Sequence, residues 1–150
     1  MRDSRCRAIA IVLLAAAMMA GCAPAGPPTI VTGTECARCR MPIEDLRFAC
    51  ARRDPTAHRT AWRVYDSIEC LAGDWDRRAA LRDVHAADYD QARLHRGDSL
   101  WVVRGSFPSP MGGGLAAFLD RAAAQGVADQ TRGVVMTLDS LLATSGDARP

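Results

Sequence analysis

Three sulfur-bearing side chains stand within six residues in Cys36-Ala37-Arg38-Cys39-Arg40-Met41. Two thiols spaced C-x-x-C can converge on one ion or on each other. A thioether adds little to a disulfide exchanger and is a poor ligand for zinc, but it suits a soft ion such as Cu(I). A second methionine with an unusual setting is Met111, which follows Pro108-Ser109-Pro110 and precedes Gly112-Gly113-Gly114. Two prolines before it and three glycines after it argue against regular structure, so packing in a core element does not account for its side chain.

Cys36, Cys39, Met41 and Met111 are therefore the candidate ligands of a copper site. Two or three sulfurs suffice for Cu(I), and a low coordination number leaves an edge open for transfer. Binding would hold the thiols as thiolates, while the thioethers are neutral ligands. A site built from these four side chains has no hard oxygen ligand, which favours Cu(I) over Zn(II) or Mg(II).

The chain has six cysteines. Cys6 and Cys22 lie in an N-terminal export segment, leaving Cys36, Cys39, Cys50 and Cys70. In an oxidising compartment an even set of four can instead pair as disulfides, Cys36–Cys39 or Cys50–Cys70. Four-thiol zinc usually needs a second C-x-x-C, and Cys50 and Cys70 are 20 residues apart. Cys50 reads as a small buried hydrophobe, and Cys70, beside the apolar stripe of a helix, as packing.

Residues 1–21 read as a signal peptide, with an apolar run at residues 8–20 that is too short to span a bilayer. The run ends in Met19-Ala20-Gly21-Cys22, which resembles a bacterial lipobox with Met19 in the place of the usual Leu. Cys22 would carry the acyl chains and hold the protein on a membrane surface. Pro24, Gly26, Pro27 and Pro28 make residues 22–34 a flexible tether. The absence of Asp after Cys22 favours the outer membrane on its periplasmic side. Residues 35–144 form the domain, long enough for one hydrophobic core, and residues 145–150 a tail.

Within the domain, residues 47–51 and 61–65 read as strands separated by a polar turn that contains Pro55 and a solvated His58. Asp66 then caps a helix with Glu69 three residues on, and Ile68, Leu71, Ala72, Trp75 and Ala79 form its apolar stripe. Residues 83–89 read as a short strand that carries a structural His85, residues 91–98 as a polar connection and residues 100–103 as the strongest strand. After Gly114 the pattern predicts a helix with Leu115, Phe118, Leu119 and Ala122 on one face, ended by Gly126. A strand at residues 134–136, with Met136 in the core, and a helical turn at residues 138–143 complete an α+β domain. Trp62-x-Val64-x-x-Ser67 recurs as Trp101-x-Val103-x-x-Ser106, an echo that suggests two related strand–helix halves.

The formal charge of +2 leaves no nucleic-acid footprint. No nucleophile–base motif, phosphate loop or paired carboxylates in an apolar setting point to an enzyme. The main alternative to a copper protein is a periplasmic thiol–disulfide protein using Cys36 and Cys39. That reading lacks the aromatic–Gly-Pro context and βαβ placement of a thioredoxin-like site.

The two sulfur motifs, with Asp66-Ser67-Ile68-Glu69-Cys70-Leu71, Asp88-Tyr89 and Ser109-Pro110-Met111-Gly112-Gly113-Gly114-Leu115-Ala116-Ala117-Phe118, resemble the NosL family. These are copper-binding lipoproteins that assist maturation of nitrous oxide reductase. The resemblance covers most of residues 35–142 and the lipobox. It implies a small α+β domain of two related halves, similar to a domain of organomercurial lyases. It also implies that the protein delivers or stores Cu(I) for an exported copper enzyme, nitrous oxide reductase or its assembly machinery. Arg40 stands where the family usually has Gly before the first motif's methionine. Gln91-Ala92-Arg93-Leu94 replaces a usual Trp-Ile-Asp segment.

Overall fold

A computed structural model describes residues 26–54, 56, 61–76 and 79–145. The lipobox with Cys22, His58, Arg77 and the tail beyond Ser145 lie outside the described residues. Among those described, seven strands make one mixed sheet, and no helix is long and apolar enough to cross a membrane.

The strands are β1 (Cys50–Arg53), β2 (Trp62–Tyr65), β3 (Val84–Asp88), β4 (Arg93–Arg96), β5 (Trp101–Arg104), β6 (Leu115–Phe118) and β7 (Val134–Thr137). Their order is β2-β1-β3-β6-β5-β7, with β4 also paired to β3. The helices are α1 (Ile68–Gly73), α2 (Arg121–Thr131) and α3 (Leu138–Ser145).

The chain folds as two copies of one plan. β1 is flanked by antiparallel β2 and β3, with α1 crossing between them. β5 is flanked by antiparallel β6 and β7, with α2 crossing between them. The halves join where β3 pairs in parallel with β6 at Asp88 and Ala117. Asp88 strengthens the joint, since its Oδ2 accepts from the Leu119 amide at 3.1 Å.

Period-two alternation sorts side chains to the two faces of the sheet. Val102, Leu115 and Ala117 pack with Val84, Ala86, Ile68 and Leu71 of α1, and Leu138, Leu141 and Leu142 of α3. The opposite face carries Val103, Ala116 and Phe118 against Ala124 and Ala128 of α2. The strand β6 is buried along its whole length because it is covered on both sides.

That double burial corrects the helix expected after Gly114. A short run of small and apolar residues, Leu115-Ala116-Ala117-Phe118, has the same composition in a two-sided strand as in a buried helix. Leu115 and Phe118 are buried as expected, whereas Leu119 is 39% exposed. The helix starts six residues later, where the Asp120 side chain accepts from the Ala122 amide. It runs through Gly126 and ends at Arg132, whose φ of 53° supplies the left-handed cap.

Other boundaries shift for similar reasons. Residues Leu46–Phe48 form a 3-10 turn capped by Asp45, so β1 begins only at Cys50. The polar connection contains β4, whose Arg93-Leu94-His95-Arg96 shows no apolar alternation because it is an edge strand. The duplication is present, but the tryptophan echo aligns it wrongly. Trp62 lies on the second strand of its half and Trp101 on the first of its own.

Candidate metal centre

The Cys36–Met41 segment is a tight loop held at its base. Glu35 bridges Pro42, the Cys36 amide donates to the Met41 carbonyl at 2.9 Å, and the Arg40 amide to the Cys36 carbonyl at 3.1 Å. Arg40 takes a φ of 67° to close this turn, a left-handed conformation that glycine adopts more readily. The Ala37 amide donates to the Val64 carbonyl at 2.8 Å, fastening the loop to the end of β2. The Arg38 guanidinium lies over Gly73, where any Cβ would collide with it. The loop is thus wedged between β2 and α1.

The junction between β2 and α1 completes the site. Ser67, not Asp66, caps α1, with its hydroxyl accepting from the Cys70 amide at 3.3 Å. The Asp66 carboxylate, free of capping, turns to the loop. It accepts from the Cys36 thiol at 3.5 Å and from the Cys39 thiol at 3.8 Å. Cys70 joins them from the first turn of α1. The three Sγ atoms and one Asp66 oxygen all lie within 4.8 Å of one another. Cys36, Asp66 and Cys70 are buried and Cys39 is half-buried. At the far end of α1, Asp74 accepts from the Tyr65 hydroxyl at 2.7 Å and pairs with Arg63 at 3.1 Å, which fixes the helix against β2.

Burial pushes the Cys39 and Cys70 thiols above their ordinary range. At Cys70 the hydrogen bond and negative charge of Asp66 add to the effect. The thiols are therefore neutral at ordinary pH, and a bound cation would have to displace their protons. All four domain cysteines are free thiols. Cys50 stands apart in the core, donating to the Phe48 carbonyl at 3.4 Å, as its strand pattern predicts.

The structure thus brings Cys36 and Cys39 together and adds two candidate ligands that sequence reasoning misses, Asp66 and Cys70. The Asp66 carboxylate puts a hard oxygen beside the thiols, which the expected set of four sulfurs lacks. Met41 and Met111 are both at the surface, 54% and 44% exposed. A cavity of about 350 Å³ runs from Met41 and Pro42, past Phe48, Pro108 and Pro110, to Asp66. Its lining thus includes both Met41 and Asp66.

The Met111 loop is shaped by its glycines. Gly112 and Gly114 have φ of 71° and 62°, and a Cβ at Gly114 would strike the Gly105 carbonyl. The Gly105 amide donates to the Gly114 carbonyl at 2.9 Å and closes the loop between β5 and β6.

No protein-family model matches the chain, and no curated protein matches it. Among solved structures it is similar to the crystal structure of the copper chaperone NosL from Shewanella denitrificans, with a TM-score of 0.65 and 17% sequence identity. The match covers 78% of this chain and 96% of that one. The chain has the NosL-like α+β fold that its motifs lead one to expect.

Proposed function

We propose that the protein is a Cu(I)-binding protein, not an enzyme, that holds copper for assembly of an exported copper enzyme. The observation that carries this reading is the convergence of Cys36, Cys39 and Cys70 on one buried point, on a fold shared with a copper chaperone. Thiolates are the preferred ligands of Cu(I), and two or three of them complete its coordination. Met41 and Met111 serve as outer thioethers that receive the ion and pass it inward or onward. The acceptor is nitrous oxide reductase or its assembly machinery, and acyl chains on Cys22 hold the domain on the periplasmic side of the outer membrane.

The thiol environment favours this reading over the thiol–disulfide one. An exchanger needs a thiol poised as thiolate, with a lowered pKa. Cys39 and Cys70 are shifted the other way.

The test is competition against a chromophoric Cu(I) chelator, using full-length protein purified in detergent and reduced anaerobically. One Cu(I) per chain is expected. Met111→Ala should weaken binding with the fold intact, and Cys36→Ser or Cys39→Ser should weaken it more, since each removes an anionic ligand. A double cysteine variant that holds copper as well as wild type would refute the site. Insulin reduction that disappears in Cys36→Ser would establish the redox alternative instead.

A further inference from the structure

We infer that a cleft between residues 27–30 and the sheet holds one acyl chain of the protein's own Cys22, so that the lipid anchor has a seat on the domain as well as in a bilayer. This inference rests on the acylation of Cys22 proposed above.

The seat is built by the strap that leads into the domain. Pro27, Pro28 and Ile30 are half-buried, and Gly26 before them is exposed. Where the strap ends it is fixed. The Gly33 amide donates to the Ile43 carbonyl at 2.9 Å, the Ile43 amide donates to the Thr34 carbonyl at 2.8 Å, and Ile43 is fully buried. Prolines have no amide donor, so Pro27-Pro28 passes the sheet without adding a strand to it. A cavity of about 350 Å³ remains between strap and sheet, with Leu46 and Leu94 among its lining. Its floor includes Ala49 and Ala87, whose small side chains leave the depression. Ala87 pairs with Leu94, while the neighbouring Ala86 and Cys50 point into the core beneath α1. The cleft therefore lies on the face of the sheet that α1 leaves uncovered. Cys36 and Cys70 pack on the other face.

The lining selects the class of occupant. Among the described residues that form it, only Thr29 and Arg93 are polar, and both are exposed. A polar ligand needs several convergent polar groups, and this cleft offers none at its floor. Its volume is at the small end of ligand sites, which suits one hydrocarbon chain rather than several. The Arg93 stem can lie along such a chain with its charge in water.

The position selects the source. Cys22 is four residues before Gly26, a reach of at most about 14 Å. The wall of the cleft begins at the next residue, Pro27. A chain on Cys22 is thus tethered beside the cleft at high effective concentration, an advantage that no free lipid shares. Exposure of the chain to water is costly in proportion to its methylenes. The cleft shields one chain while the domain is away from a bilayer and gives it up to the bilayer as an anchor. Neither position covers the thiol cluster.

The test is photo-crosslinking of full-length protein produced with a diazirine-bearing fatty acid, first in detergent and then in lipid nanodiscs. Intact mass reports whether Cys22 is acylated, and peptide mass spectrometry after irradiation reports what the chain touches. Crosslinks within one molecule to the peptides that carry Leu46 and Leu94 are expected, with a lower yield in nanodiscs. Leu46→Asp and Leu94→Asp put a charge in the cleft and should each cut that yield at least about fivefold. Thr29→Trp fills the cleft from its exposed side, leaves the core untouched, and should cut the yield as well. Acylation and Cu(I) affinity should match wild type in all three. An unacylated Cys22 would overturn the anchor and this inference together. An acylated chain that crosslinks only to detergent or bilayer lipid would overturn this inference alone. So would crosslinks that join light and heavy isotope-labelled copies, or a yield unchanged in all three variants.

Discussion

The Ser109 hydroxyl donates to Glu69 Oε1 at 3.0 Å and itself accepts from the Gly114 amide at 2.9 Å. Glu69 is the neighbour of Cys70 on α1, so one helical turn sends one side chain to the thiol cluster and the next to the Met111 loop. A Cβ at Gly113 would run into the Glu69 side chain, which shows how closely the loop sits on it. Two segments 40 residues apart in sequence are thereby keyed to the same helix.

The link predicts that Glu69→Ala loosens the Met111 loop while leaving every thiol in place. Cu(I) affinity should fall by about tenfold, the scale of losing a group that orients a ligand. Stability should fall by about 1.5–3 kcal/mol, the scale of one hydrogen bond to a charged acceptor. Glu69→Gln keeps an acceptor for Ser109 and should stay close to wild type. Chelator competition and denaturant melts read both. Equal copper affinity in wild type and Glu69→Ala would show that the loop does not depend on this contact.

Phe118 and Leu119 test the strand β6. Phe118 is 1% exposed among Val103, Ala116 and Ala124, with its ring 5.5 Å from that of Tyr89. Phe118→Ala should cost about 3–5 kcal/mol. Leu119→Ala should stay within about 0.5 kcal/mol, as for a surface substitution. A helix with both side chains on its core face would make both variants costly, so the contrast in denaturation midpoints separates the two structures.

Residue by residue, the reach of the sequence has a physical limit. The Cys36–Cys39 pairing is legible because both thiols come from one turn. Asp66 and Cys70 are not, because they lie 27 or more residues from the two loop thiols and each has an adequate local explanation, a cap and an apolar stripe. A signal is present all the same. Ser67 is as good a capping residue as Asp66, and assigning it the cap leaves a carboxylate and a thiol four residues apart at a strand–helix junction. The strand β4 escapes detection because an edge strand of Arg, Leu and His carries no alternation. The strand β6 reads as helix because burial on both faces erases the period of two.

His85 gives a pH dependence away from the metal centre. It sits on β3 with its ring 5.3 Å from that of Trp62. Burial, then the charges of Arg96 and Arg53, hold its pKa below the ordinary value, against weaker opposing effects of Asp98 and Asp83. The unfolded chain therefore takes up a proton near pH 6.5 while the folded chain still refuses it. By linkage, stability is unaffected above that pH and falls as pH drops through it, levelling off below the folded-state pKa. Denaturant melts between about pH 7 and pH 5 should show this loss, and His85→Gln should lessen its slope. An unchanged slope in the variant would place the loss with other groups.

Arg40 tests how far the turn sets the site. Its φ of 67° costs an L-residue about 1–2 kcal/mol relative to a right-handed conformation. Its ion pair with Glu35, at 2.8 Å, is largely exposed and returns little. Arg40→Gly removes the strain but adds freedom to the unfolded chain, an opposing effect of about 0.4–1 kcal/mol. The net expectation is a gain of about 0.5 kcal/mol. Arg40→Val makes the opposite move, because a β-branched side chain is least tolerant of positive φ. It should lose about 1 kcal/mol or more. It should also weaken Cu(I) binding, since the Cys36 and Arg40 hydrogen bonds that aim Cys39 and Met41 depend on the same turn. Denaturation midpoints and chelator competition on the pair would show this ordering. If the Gly and Val variants were equal in stability and in copper affinity, the left-handed turn would not be what holds Cys39 against Asp66.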